Sequence, residues 1–154
     1  MRRRRPEKRT ILPDTKYNDL SVAKFINYIM ESGKKGVAEK IFYSAMEQVH
    51  KRTKTDGIKI FKKGIENTSP SVEVKSRRIG GATYQVPIEV PKKRAFYLAS
   101  LWIINASKNS SGKPMSEKLA SELIAAANGD GNAIKKKEDT HRMADANKAF
   151  AHFR

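Results

Sequence analysis

A mainly α fold is predicted: a bundle of about six helices with a protruding two-stranded antiparallel β-ribbon and a disordered basic N-terminal arm. Three observations carry that expectation. Apolar residues recur at helical spacing through most of the chain after Asp19. One stretch, Ser71 to Val90 (SVEVKSRRIGGATYQVPIEV), instead alternates on both sides of Gly80-Gly81. The first ten residues, MRRRRPEKRT, hold six positive charges against one negative and nothing apolar after Met1; such a block cannot bury enough surface to offset its ordering entropy.

Taken in order, Val22, Phe25, Ile26, Ile29 and Met30 share one stripe, with Asp19 as N-cap and Gly33 as the stop. The loop Gly33-Lys34-Lys35-Gly36 then leads into a second amphipathic helix with Val37, Ile41, Ala45 and Val49 inward, flanked by Ala38 and Phe42. Ile58, Phe61 and Ile65 mark a third helix, capped by Asp56 and closed before Pro70. Short links between helices of this kind predict a bundle.

In the ribbon, Gly80-Gly81 supplies the positive φ values of a tight primed turn. Pro87 has no N–H for a ladder, which predicts an edge strand and a unit of two strands. The base is expected to pack Val72, Val74, Ile88 and Val90 on the helices, leaving Lys75, Arg77 and Arg78 near Tyr84 at the tip. Pro91 opens a fourth helix with Ala95, Leu98, Ala99, Trp102 and Ala106 on its face, and Trp102 reads as core. Pro114 starts a fifth, with Met115, Leu119, Leu123 and Ala126 inward and Gly129 at its end; a sixth is expected from about Ala133 to Phe150. No internal repeat is visible, and residues 1–154 read as a single domain, with residues 1–10 as the arm and 71–90 as a hairpin inserted between helices.

Charge bounds the function. The 154 residues hold 32 Lys and Arg against 16 Asp and Glu, a formal net charge of +16. An excess of that size repels itself in the free protein and points to a polyanionic partner. No apolar run approaches the ~20 residues of a spanning helix, and Pro6 to Thr10 is polar where a secretory leader would be apolar. The expected setting is the cytosol or an equivalent compartment, with no membrane partner. The absence of cysteine removes disulfides, zinc ribbons and thiol catalysis.

Basic residues cluster at element ends: Arg2, Arg3, Arg4, Arg5, Lys8 and Arg9; Lys34 and Lys35; Lys92, Lys93 and Arg94; Lys135, Lys136 and Lys137. Termini and loops converge in space more readily than their order along the chain suggests, so these clusters and the ribbon tip are candidate phosphate contacts on nucleic acid. Tyr84 and the arginine planes suit unstacked RNA bases. Catalysis is not expected. Of the three histidines, only His141 has carboxylates at near-helical spacing, Asp139 and Asp145, and the trio has no recognisable third ligand or nucleophile beside it. No phosphate-binding Gly-rich loop occurs, and no cofactor is expected.

Three segments, Met30 to Ala45 (MESGKKGVAEKIFYSA), Val72 to Val90, and Lys135 to Arg154 (KKKEDTHRMADANKAFAHFR), resemble the family of bacterial small ribosomal subunit protein seven. The resemblance covers nearly the whole chain. It implies a non-enzymatic helical domain with a protruding ribbon, present as a monomer within the ribosome. Such a domain would bind the 3′ major domain of 16S ribosomal RNA and nucleate assembly of the subunit head. It would lie near the decoding centre, exit-site tRNA and mRNA, in contact with neighbouring small-subunit proteins. It also implies RNA-facing roles for the N-terminal arginines, Lys34, Lys35, Lys75, Arg77, Arg78, Lys135 to Lys137 and Arg142, with Tyr84 near the ribbon tip. The chain departs from the family pattern at Leu101, where an arginine usually precedes the tryptophan. A freestanding RNA- or DNA-binding regulator is the alternative reading.

Overall fold

The computed structural model describes Glu7 and residues 9 to 153. Arg2 to Arg5 and Lys8, and with them most of the expected basic arm, lie outside the described residues. The chain divides into two compact units, Met1–Glu39 and Lys40–Arg154.

In the first unit, α1 (Leu20–Ile29) starts where the sequence predicts, because the Asp19 carboxylate accepts the Ser21 N–H at 2.7 Å. Val22, Ala23, Phe25, Ile26 and Ile29 are its buried face. The helix ends earlier than Gly33: Met30 already leaves the helical region. The helix α2 (Lys35–Thr53) begins one residue before Gly36, so that glycine sits in its first turn rather than in the loop. The buried stripe of α2 is also rotated from the expected one. Ala38, Phe42, Ala45, Met46 and Val49 are buried while Val37 is exposed, since the inward face is centred on the flanking residues of the expected stripe.

The larger unit holds the rest of α2, four further α-helices, two strands and a short 3₁₀ helix. In α3 (Gly57–Thr68) the Asp56 carboxylate caps the Ile58 N–H at 3.1 Å. Phe61 is fully buried edge-on against Phe42, with ring centroids 5.4 Å apart. A buried phenylalanine contributes about 1.5–3 kcal/mol of transfer free energy, and an edge-to-face pair adds about 0.5–1.5 kcal/mol. Two glycines let backbones close up around this helix. An added Cβ at Gly57 would meet the Met46 carbonyl oxygen at 2.8 Å, and one at Gly64 the Leu123 carbonyl oxygen at 3.3 Å.

The strands β1 (Val72–Ile79) and β2 (Ala82–Glu89) form an antiparallel two-stranded sheet. Gly80 and Gly81 have φ of 56° and 90°, the double positive value that a two-residue primed turn requires. That turn pairs Ile79 with Ala82 and therefore every odd residue with an even one. Val72 and Val74 consequently face Glu89 and Pro87, while Glu73, Lys75 and Arg77 share a face with Ile88, Val86 and Tyr84. Val72 and Val74 thus lie on the face opposite to Val86 and Ile88, so the residues expected to pack on the helices are divided between the two faces of the base. Both faces of the base are covered instead. Glu73, Val86 and Pro87 are buried, α6 (Asn132–Ala146) packs against both strands, and a short 3₁₀ helix, Lys148–Phe153, packs against β2. This cover stabilises a ribbon that would be marginal alone in water.

The helix α4 (Lys92–Asn109) buries Ala95, Leu98, Ala99, Ser100, Ile103, Ile104, Ala106 and Ser107, with Pro91 at its N-cap. Trp102 is only half-buried, contrary to its expected core position, because the buried arc runs through Ile103 rather than its neighbour. The helix α5 (Met115–Ala127) begins after Pro114 and buries Leu119, Ala120, Leu123, Ala126 and Ala127. The last helix is shorter than expected, since α6 stops at Ala146 and the chain tightens into the 3₁₀ segment. Its start is capped from a distance: Glu122 of α5 accepts the Ala133 N–H at 2.8 Å.

Candidate nucleic-acid interface

Helix starts ordinarily favour acidic residues, because the unsatisfied N–H groups of the first turn leave a partial positive charge there. Three helices here do the reverse. The first turns of α2, α4 and α6 contain no acidic residue. Instead, Lys34 and Lys35 stand at the start of α2, Lys92, Lys93 and Arg94 at the start of α4, and Lys135 in the opening turn of α6 with Lys136 and Lys137 just beyond. Each arrangement adds cations to a positive helix end, which costs stability in the free protein and makes a ready anion site.

The side chains divide into unspent and committed cations. Lys34, Lys92, Lys93, Lys135 and Lys136 are exposed, as are Arg77 and Arg78 at the ribbon tip, and none makes an ion pair with another described residue. Arg94 is committed: its Nη2 and Nε donate to the buried Glu73 carboxylate at 3.1 and 3.3 Å, and its guanidinium lies 5.3 Å from the Tyr97 ring centroid. Lys75 approaches the same carboxylate at 3.5 Å. Glu73 therefore neutralises part of the charge at the ribbon base and ties β1 to α4. Lys137 is likewise turned inward, its Nζ donating to the Asn67 carbonyl at 2.6 Å. Arg142 pairs with Asp139 at 2.9 Å on an exposed surface, where such a pair is easily exchanged for another anion.

Tyr84 stands opposite Arg77, as the ribbon reading expects, and its ring also meets Phe150 of the 3₁₀ segment at 5.2 Å. In the first unit, Arg9 and Lys35 line one groove of about 470 Å³ together with Ile11, Leu12, Asn27 and Glu39; Lys35 lies 4.0 Å from Glu39. His141 is structural: its Nε2 accepts the Ser71 N–H at 3.2 Å, joining α6 to the ribbon base. Among the described residues no group of three or more His, Cys, Asp and Glu is placed to hold a metal, and no described helix is long and apolar enough to cross a membrane.

Sequence reasoning missed a further basic stripe. Lys59, Lys62 and Lys63 are exposed on α3, and Lys63 lines a polar cavity of about 580 Å³ with Asn67, Asn128 and Lys137. Their spacing of three and four residues was the available signal. Glu73 was missed as well, because nothing in a local pattern announces that an alternating strand will bury its acidic residue against a distant arginine.

A helical chain whose exposed cations collect at helix starts and at the tip of a ribbon belongs to the class of basic nucleic-acid-binding scaffolds. Residues 1–148 match the family model for ribosomal protein S7p/S5e. Small ribosomal subunit protein uS7 of Anaeromyxobacter sp. (strain Fw109-5) is 59% identical over 153 residues, covering 99% of this chain and 98% of that protein. The uS7 proteins of Gemmatimonas aurantiaca and Thermotoga maritima are 57% and 56% identical, each over at least 98% of both chains. The chain belongs to the ribosomal protein S7p/S5e family, whose members are structural and non-enzymatic.

Proposed function

We propose that the chain is a structural constituent of the small ribosomal subunit in the cytoplasm and that it acts as one RNA-binding domain on the 3′ major domain of 16S ribosomal RNA. In this reading it nucleates assembly of the subunit head. It then sits near the decoding centre, exit-site tRNA and mRNA, and touches neighbouring small-subunit proteins. Full-length similarity to uS7 proteins supports the ribosomal setting.

The observation that carries the RNA reading is the accumulation of unspent lysines at helix starts. Lys34, Lys92, Lys93, Lys135 and Lys136 raise the energy of the free protein and lower it when phosphates arrive. Arg77 and Arg78 extend that capacity along the ribbon tip, and Arg9, Lys35, Lys75, Arg94 and Arg142 can exchange or share their present partners with phosphate.

Filter binding with a transcript of the 3′ major domain tests the proposal. Binding is expected to survive excess tRNA and duplex DNA at matched ionic strength, and to weaken by roughly 10³ to 10⁵ between 50 and 200 mM salt if six to ten phosphates are neutralised. Equal affinity for all three polyanions would overturn it.

A further inference from the structure

Trp102, Asn105, Ala106 and Asn109 recur at three- and four-residue intervals and so form one stripe on α4. Asn132 and Lys136 stand one helical turn apart on α6, and the two rows line a shared cavity of about 320 Å³. That volume falls at the small end of ligand sites, which span about 300–1,000 Å³. Its wall contains an indole, three carboxamides and one ammonium group, and no carboxylate.

The polar groups of this wall are unspent. The Trp102 indole N–H, the carboxamides of Asn105, Asn109 and Asn132, and the Lys136 ammonium make no hydrogen bond or ion pair with another described residue, and the Trp102 ring has no aromatic neighbour among them. Trp102 is half-buried, where an indole N–H still gains from a partner, while Asn105, Asn109, Asn132 and Lys136 are exposed and open to an incoming ligand. The part-buried Asn67 by contrast donates to the carbonyls of Ala126 and Ala127, each at 3.0 Å. Five polar groups left open around one aromatic face describe a recess made for something polar, flat and anionic.

We propose that this recess receives a single unstacked nucleotide of the bound RNA. Its base lies on the Trp102 ring, its edge is read by Asn105, Asn109 and Asn132, and its phosphate meets Lys136. Carboxamides carry both donors and acceptors and so match a base edge, and unstacked bases are the features by which proteins tell one RNA site from another. The proposal rests on the RNA-binding reading and adds a point of base recognition to a surface otherwise made of phosphate contacts.

Trp102 is the only tryptophan in the chain, so the intrinsic emission of the full-length protein reports on this recess directly. Addition of the 3′ major domain transcript is expected to quench that emission and shield it from acrylamide, whereas duplex DNA at the same occupancy leaves it unchanged. The double variant Asn105→Ala/Asn132→Ala changes exposed residues without described side-chain partners. It should keep the wild-type melting temperature and bind the transcript at least about fivefold more weakly. Trp102→Ala should lose about tenfold and Trp102→Phe, which keeps a π-face, less. Selective binding of the transcript with unaltered emission and an unweakened double variant overturns the recess and leaves the RNA-binding function standing. Failure of the transcript to bind selectively removes both.

Discussion

The carboxylate of Glu73 in β1 and the guanidinium of Arg94 in α4 lie 3.1 Å apart, with Glu73 buried at the ribbon base and Arg94 still 44% exposed. Lys75 stands on the other side of the same carboxylate. The ribbon is therefore held to the bundle by charge as well as by apolar cover.

Replacing Glu73 by Ala leaves two cations facing each other, but a half-exposed Arg94 regains water. The expected loss is about 1–2 kcal/mol, below the ~3–5 kcal/mol of a fully buried pair. Urea denaturation measures it, and amide exchange should rise first in residues 72–89. An unchanged midpoint would show that the pair contributes nothing to holding the ribbon.

Gly57→Ala places a Cβ 2.8 Å from a carbonyl oxygen, whereas Gly64→Ala places one at 3.3 Å. Backbone cannot swing aside as a side chain does, so Gly57→Ala should cost about 1–3 kcal/mol and Gly64→Ala distinctly less. Thermal melts of the two variants would contradict this packing if their order were reversed.

Glu122→Ala removes the acceptor for the Ala133 N–H and should destabilise the chain by about 0.5–2 kcal/mol, the range of a lost helix cap. Glu122→Gln keeps an amide oxygen there and should lose only part of that. Equal melting temperatures for Glu122→Ala and the parent protein would refute the long-range cap.

Lys92→Ala/Lys93→Ala separates folding from binding. Removing two cations from the start of α4 should leave stability unchanged or raise it by a few tenths of a kcal/mol. RNA affinity should fall, with a salt dependence shallower by about one per lost phosphate contact. Parallel losses of stability and affinity would mean that these lysines serve the fold.

Arg77→Glu/Arg78→Glu inverts the ribbon tip. Both side chains are exposed and outside any described ion pair, so the melting temperature should hold within about a degree. Affinity for the 3′ major domain should drop at least about tenfold, and filter binding at fixed salt would expose the opposite result.

Local physics made much of this protein legible from its residues. Asp19 and Asp56 cap the helices they precede because capping involves neighbours in the chain. Gly80-Gly81 forms the ribbon turn because two positive φ values leave little choice. The excess of lysine and arginine declared a polyanionic partner without any fold at all. What depended on residues far apart in the chain was decided only by tertiary structure. Packing turned Val37 and Trp102 partly outward and buried Glu73 beside Arg94. It also directed Glu122 to another helix, turned Lys137 toward Asn67 and gathered a tryptophan with three asparagines around one recess. Periodicity names the residues that a helix can bury, but the partner it meets selects among them, and that partner is set by contacts no local pattern contains.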